Sequence, residues 1–151
     1  MIKIEFGDLL YAREDIIGHQ VNCQGKMGSG VAKQIKAMHP MVFNQYLQYL
    51  KSLDNREEAL GTVNYAVGRG GKIIANMFGQ YDYGYDGNQY TKLNHLDSCL
   101  SDLRRQAEAN GKLSVALPYL LGSDRGGADW KEVEQLILSV FNGYEVTLYK
   151  K

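Results

Sequence analysis

The sequence predicts an α/β fold, a three-layer α/β/α domain whose mixed, largely parallel central sheet is flanked by helices. Three observations carry this. Short β-branched segments alternate with amphipathic helical ones along the chain. The two segments around Gly68-Arg69-Gly70-Gly71 read as a hairpin that makes part of the sheet antiparallel. Two glycine-rich loops each follow a strand and precede a helix. At 151 residues the chain is expected to form a single domain over 1–151, large enough to bury about 70% of the surface that it exposes when unfolded.

Taken in order, the alternation Met-Ile-Lys-Ile-Glu-Phe gives a first strand over Ile2 to Phe6, and Gly7-Asp8-Leu9 turns the chain so that Asp8 emerges at the carboxyl end. Asp15 to Asn22 forms the second strand, carried by the β-branched Ile16, Ile17 and Val21. Gly25, Gly28 and Gly30 then allow a tight turn and close approach of a ligand to the backbone. Ser29 stands at an N-cap position, and Val31, Ala32, Ile35 and Met38 recur at helical spacing. His39-Pro40 breaks this run, and Pro40 suits the first residue of a second helix reaching about Leu53.

Thr62 to Val67 and Lys72 to Phe78 are the hairpin strands. Gly79 to Tyr90 carries Gln80, Tyr81, Tyr83, Tyr85 and Tyr90 and is too polar and glycine-rich for core, which predicts an exposed loop with aromatic walls. Leu93, Leu96, Leu100, Leu103 and Ala107 recur at steps of three and four in a third helix that Asn110-Gly111 stops. A strand over Leu113 to Leu117 leads into the second loop, Pro118 to Ala128. Asp129 and Glu132 then spell a capping box for a last helix with Trp130, Val133, Leu136, Ile137, Val140 and Phe141 on its core face. Glu145 to Tyr149 closes the chain as a strand.

Composition excludes several classes. The 17 basic and 17 acidic residues cancel, so there is no broad electrostatic footprint for duplex nucleic acid or an acidic membrane. No apolar run is long enough for a signal peptide or a membrane span. Cys23 and Cys99, without clustered histidines, fit a reducing compartment, with cytoplasm as the default, and predict no metal site, no cofactor and activity unaffected by chelator.

The first loop has the character of an anion site. Three glycines fall within six residues beside Lys26, and the following helix aims its unpaired N–H groups and positive dipole end at the loop. The spacing is neither G-x-x-x-x-G-K-[ST] nor G-x-G-x-x-G, which disfavours a nucleoside triphosphatase and a standard dinucleotide dehydrogenase. Gly122-Ser123-Asp124-Arg125-Gly126-Gly127 is a second loop of the same kind. Ligands on open α/β sheets collect outside the carboxyl ends of the strands. Two helix N-termini facing one cleft there suit two adjacent phosphates, although the two loops also admit the reading of two separate turns.

In order, the segments Gly7-Asp8-Leu9, His19-Gln20-Val21-Asn22, Lys26-Met27-Gly28-Ser29-Gly30-Val31-Ala32, Ile74-Ala75-Asn76-Met77-Phe78-Gly79-Gln80 and Leu121-Gly122-Ser123-Asp124-Arg125-Gly126-Gly127-Ala128-Asp129-Trp130 resemble the macrodomain. More narrowly the chain is similar to small macrodomains that process ADP-ribose 1″-phosphate and are related to the terminal ADP-ribose protein glycohydrolase. The resemblance spans nearly the whole chain. It implies a macrodomain-like fold and a cleft for ADP-ribose or an ADP-ribosylated substrate, with nucleic acid a partner only as an ADP-ribosylated substrate.

By that resemblance, Asp8 accepts from the adenine amino group, with Leu9 beside it. Lys26, Met27, Gly28, Ser29, Gly30, Val31 and Ala32 form the loop that cradles the diphosphate and distal ribose. Leu121, Gly122, Ser123, Asp124, Arg125, Gly126 and Gly127 close from the other side. Gln20, Phe78, Gln80 and the tyrosine loop lie near the ligand, and Asn22 near the distal ribose. The chain departs from the glutamate-directed relatives in having Asn76, Met77 and Phe78 where a strand end carries a lysine, which disfavours a covalent lysine mechanism. It also has Asp124 in a loop where many relatives read Gly-Cys-Gly.

Hydrolysis at the anomeric carbon needs a positioned water, a group to orient or deprotonate it, and donors for developing charge. Asn22 and Asp124 are the candidates for the water. Asp124 has loop shaping as its alternative role. His19 is a weaker candidate that also suits the core. A thiol nucleophile at Cys23 paired with His19 lacks a third orienting residue. Three readings stay open: an ADP-ribosyl hydrolase or ADP-ribose 1″-phosphate phosphatase, a non-catalytic ADP-ribose reader, and another nucleotide- or nucleic-acid-binding module.

Overall fold

The computed structural model describes residues 1–84 and 86–151; Tyr85 of the aromatic loop lies outside the described residues. Six strands, β1 (Ile2–Phe6), β2 (Ile16–Val21), β3 (Val63–Val67), β4 (Ile73–Phe78), β5 (Val115–Pro118) and β6 (Val146–Lys150), form one sheet in the order β1-β6-β5-β2-β4-β3. All neighbours are parallel except β3 and β4. Four helices, α1 (Gly30–Met38), α2 (Pro40–Lys51), α3 (Leu93–Ala109) and α4 (Trp130–Val140), cover the two faces.

Strand alternation explains the layers, because successive side chains point to opposite faces. Ala75, Met77, Leu117, Val146 and Leu148 face α3 and α4, where Leu96, Leu100, Leu103, Val133 and Ile137 complete one core. Ile17, Ile74 and Ala116 face Ile35 of α1 and Val42 of α2. Val21 and Phe78 close the α2 side with Met27, Tyr46 and Leu50.

Three local differences from the sequence expectation have physical causes. β5 starts at Val115 rather than Leu113, because the Leu113 N–H bonds Ala107 O and belongs to the end of α3. Asp15 fixes the start of β2, accepting from the Ser114 N–H (2.8 Å) and hydroxyl (3.0 Å). A single 3₁₀ turn, Arg56–Ala59, interrupts the loop before β3 and carries a capping box between Asn55 and Glu58.

His19, Asn76 and Asn64 lie side by side across β2, β4 and β3. Asn76 Nδ2 donates to Asn64 Oδ1 (3.0 Å), which leaves Asn76 Oδ1 to accept from His19 Nε2 (2.6 Å). Burial dominates the imidazole and lowers its pKa from 6.5 to about 4, partly countered by the Asn76 bond. The unfolded chain therefore takes this proton first on acidification. The stability His19 contributes is whole above pH 6.5 and drains away as pH falls toward 4, by about 3 kcal/mol. Denaturant unfolding between pH 7.5 and 4.5 should show this loss in the wild type and a shallower pH slope in His19→Gln.

Candidate functional site

The carboxyl ends of β2 and β5 part to leave an open cleft of about 280 Å³, near the lower end of the range for small-molecule sites, roughly 300–1,000 Å³. The end of β2 forms its floor from His19 to Asn22. The first loop, Lys26 to Ala32, forms one wall. Pro118 to Gly122 and Asp124 to Gly126 form the other, with Gln80, Tyr83 and Gly84 at one side.

The first loop is held from beneath. Met27 buries its side chain in the α2 core. Tyr46 of α2 donates to Asn22 O (2.7 Å) and accepts from the Gly25 N–H (3.1 Å). Asn22 uses both ends of its amide on the loop: Nδ2 donates to Lys26 O (3.0 Å) and Oδ1 accepts from the Gln24 N–H (2.9 Å). Its side chain thus braces the loop while lining the cleft. Ser29 holds the N-cap with extended backbone, but its hydroxyl makes no capping bond. The first turn of α1, Gly30 to Ala32, lines the cleft, and helix N-termini favour anions.

A polar network sets the second loop. Gln20 Nε2 donates to Gln80 Oε1 (2.6 Å) and Thr91 Oγ1 (2.7 Å), and the Thr91 hydroxyl donates to Gly122 O (2.7 Å). The N–H groups of Tyr90 and Thr91 both reach Gly126 O. One strand, the aromatic loop and the second glycine loop are therefore tied at a buried point. Across the cleft the two loops nearly touch: a Cβ on Gly30 would stand 3.6 Å from Arg125 Cγ.

The helix that follows the second loop behaves differently from the expectation of two anion-facing N-termini. Asp129 caps α4 with its own carboxylate, accepting from the Lys131 N–H (3.0 Å). That terminus already holds a negative charge, so the second loop can offer only its own backbone and side chains.

Of the candidate residues, Gln20, Asn22, Lys26, Met27, Gly28, Ser29, Gly30, Val31, Ala32, Gln80, Leu121, Gly122, Asp124, Arg125 and Gly126 line the cleft. Phe78 does not. It is fully buried and stacked between Tyr46 and Tyr49, since it shares strand parity with Ile74 rather than with the cleft side. Leu9 is buried beneath α1. Asp8 also lies off the cleft lining: its carboxylate accepts from the Leu10 N–H (3.0 Å) and pairs with Lys151 (3.1 Å), and the Leu10 bond, then Lys151, holds its pKa low against partial desolvation. The Ser123 hydroxyl is buried and Gly127 packs on Asn88 of the aromatic loop. Cys23 is buried, with its thiol pushed up to about 12 by desolvation, so it is no nucleophile. Among the described residues no cluster of histidine, cysteine and carboxylate side chains could hold a metal ion, and no helix is long and apolar enough to cross a membrane.

Leu120 lines the cleft in a way the sequence does not signal. It is 39% exposed and has φ +66°, a conformation costly for a side chain with a Cβ. Its carbonyl accepts from the N–H groups of Ser123 (2.8 Å) and Asp124 (3.3 Å), which holds it there. Leu120→Gly should raise the unfolding free energy by up to about 1 kcal/mol while weakening ligand binding through the lost apolar wall, as read by thermal melting and titration.

The fold and cleft together define a three-layer α/β/α domain with a cleft at the carboxyl edge of a mixed sheet. The chain belongs to the Macro domain family, whose family model matches residues 19–137. It is 34% identical over 141 residues to the DNA ADP-ribosyl glycohydrolase of Mycobacterium tuberculosis, covering 93% of this chain and 39% of that protein. The Thermus aquaticus protein of the same name is 28% identical over 153 residues, covering 99% and 41%. The chain thus spans about two-fifths of the length of these relatives. The solved macrodomain of Mycobacterium tuberculosis DarG superposes with a TM-score of 0.82 at 32% identity, over 100% of this chain and 98% of that one.

Proposed function

We propose that residues 1–151 act as one macrodomain that holds ADP-ribose in this cleft and hydrolyses the bond between its anomeric carbon and a macromolecular acceptor, a base of DNA. The observation that carries this reading is the closure of two glycine loops over the open N-terminus of α1, with Gly30 and Arg125 in near contact. In the proposed complex the diphosphate rests on N–H groups of the first loop and the first turn of α1. Gly122 to Gly126 covers it, and Lys26 and Arg125 add positive charge. DNA as acceptor, rather than phosphate, is supported by the names of the relatives, both DNA ADP-ribosyl glycohydrolases.

In the proposed reaction water adds to the anomeric carbon, the bond from that carbon to the acceptor breaks, and the proton shed by the water is passed to the leaving acceptor. Asp124, exposed on the rim of the cleft, orients and deprotonates the water. Asn22 acts through the loop it braces. Lys26 is the only amine side chain among the described lining residues, and Gln80 stands just past the end of β4, so the reaction runs through water rather than a lysine adduct. A cytoplasmic location belongs to the same proposal, since both free cysteines are buried with thiols pushed up to about 12 by desolvation and need no partner in a reducing compartment.

The test is incubation with a single-stranded oligonucleotide carrying one ADP-ribosyl group, and in parallel with ADP-ribose 1″-phosphate, followed by mass spectrometry. Release of ADP-ribose and intact oligonucleotide supports the reading. Faster release of phosphate would make the protein a phosphatase, and binding without turnover would make it a reader.

A further inference from the structure

The parallel register sets out a row beside the cleft in which Phe6 and Lys150 are exposed and Tyr119 is half-buried. Phe6 at the end of β1 is paired with Lys150 at the end of β6, and Tyr119 follows the end of β5, its N–H bonded to Tyr149 O (2.9 Å). All three fall on the α4 face, where Tyr119 packs against Trp130 (ring centroids 4.9 Å apart). Lys150 Nζ lies 4.5 Å above the Tyr119 ring and has no carboxylate at ion-pair distance among the described residues, whereas Lys151 is paired with Asp8. Phe6 is 78% exposed, with Ile4 behind it at 41%. Tyr119 and Leu120 are cleft residues, so the row is continuous with the cleft. From β1 to β2 it covers three strand spacings, about 14 Å.

We propose that this row of Phe6, Lys150 and Tyr119 is the platform on which the single strand flanking an ADP-ribosylated base is held. This rests on the reading of the cleft as one that releases ADP-ribose from DNA. Flat aromatic side chains interleaved with a lysine are the chemistry that grips a single strand without reading its sequence: the open Phe6 ring takes a base by stacking, and the Lys150 ammonium, seated over the Tyr119 ring, takes a phosphate. The neutral net charge means that such a strand is held only while its modified base is in the cleft, which suits an enzyme that must release unmodified product.

The experiment compares wild type with Phe6→Ala/Lys150→Ala, two exposed positions outside the cleft, on an ADP-ribosylated single-stranded decanucleotide and on the corresponding ADP-ribosylated mononucleotide, with calorimetric ADP-ribose binding as the folding check. The expected result is wild-type preference for the decanucleotide, a fall of roughly tenfold or more in its kcat/KM in the variant, the loss expected for one base stack and one phosphate contact, and unchanged mononucleotide turnover and ADP-ribose affinity. Equal effects on both substrates, no effect, or no wild-type preference for the longer substrate would overturn the platform while leaving the cleft's activity standing. A change in oligomeric state by sedimentation without a substrate-length effect would assign the row to contact between copies and also overturn it. Wild-type binding of ADP-ribose with turnover of neither substrate would instead remove the DNA reading of the cleft and the platform with it.

Discussion

Gly126→Ala is expected to abolish ADP-ribose binding at accessible concentrations, a loss of at least about 100-fold, and to destabilise the fold by about 1–3 kcal/mol. A Cβ there would collide with Thr91 Oγ1, stand 2.5 Å from Gly122 O and 2.9 Å from Gln20 Nε2. Gly126 is buried, and its carbonyl accepts from both Tyr90 and Thr91, so the added methyl group cannot be relieved without breaking the knot that ties the second loop to β2 and the aromatic loop. The control is Gly28→Ala. Nothing lies within 4 Å of a Cβ at Gly28, so this variant should melt as wild type does. Gly28 lines the cleft, and a Cβ there holds a ligand off the backbone, so affinity should still fall. Melting and titration of the two variants separate a fold effect from a site effect.

Asp124→Asn is expected to keep ADP-ribose affinity within about threefold and to lower kcat on an ADP-ribosylated oligonucleotide by about 10²–10⁴, the usual worth of a positioned base. The loop should survive the change because its backbone is fixed independently of this side chain, through the Asp124 N–H to Leu120 O and the Ala128 N–H to Gly122 O. Single-turnover kinetics with saturating enzyme isolate the chemical step. Loss of binding and turnover together would make Asp124 a loop-shaping residue.

Much of this architecture is legible in local sequence. Leu93, Leu96, Leu100 and Leu103 announce α3 by their spacing, and Gly68 to Gly71 announces the hairpin of β3 and β4. Both glycine loops stand out because each breaks between a β-branched run and a helical one. Asn55 and Glu58 carry a capping box, though a single 3₁₀ turn is too short to show a period, whereas at α4 only Asp129 caps, through the Lys131 N–H, without the reciprocal Glu132 bond that the sequence predicts. What is not legible depends on neighbours distant in sequence. Gln20, Gln80 and Thr91 are ordinary polar residues until β2 and β4 pair and bring Gln20 to Gln80 and to Thr91, whose hydroxyl donates to Gly122 O. The left-handed backbone of Leu120 has no compositional sign, since glycine or asparagine is the usual occupant of that region. The burial of Phe78 follows from strand parity with Ile74, a local signal outweighed by its nearness to Gln80 in sequence. The self-capping of α4 by Asp129 was equally local, and it removes one of the two anion-facing helix ends that the pattern of loops suggests.

The central claim, that two glycine loops form one seat for the diphosphate of ADP-ribose, is tested most directly by calorimetric titration of the wild-type protein with ADP-ribose, with Gly126→Ala in parallel. The account predicts one-to-one binding with a dissociation constant on the order of micromolar, a free energy near −8 kcal/mol, and no measurable binding to the variant. No binding by the wild type, or equal binding by the two proteins, would contradict it.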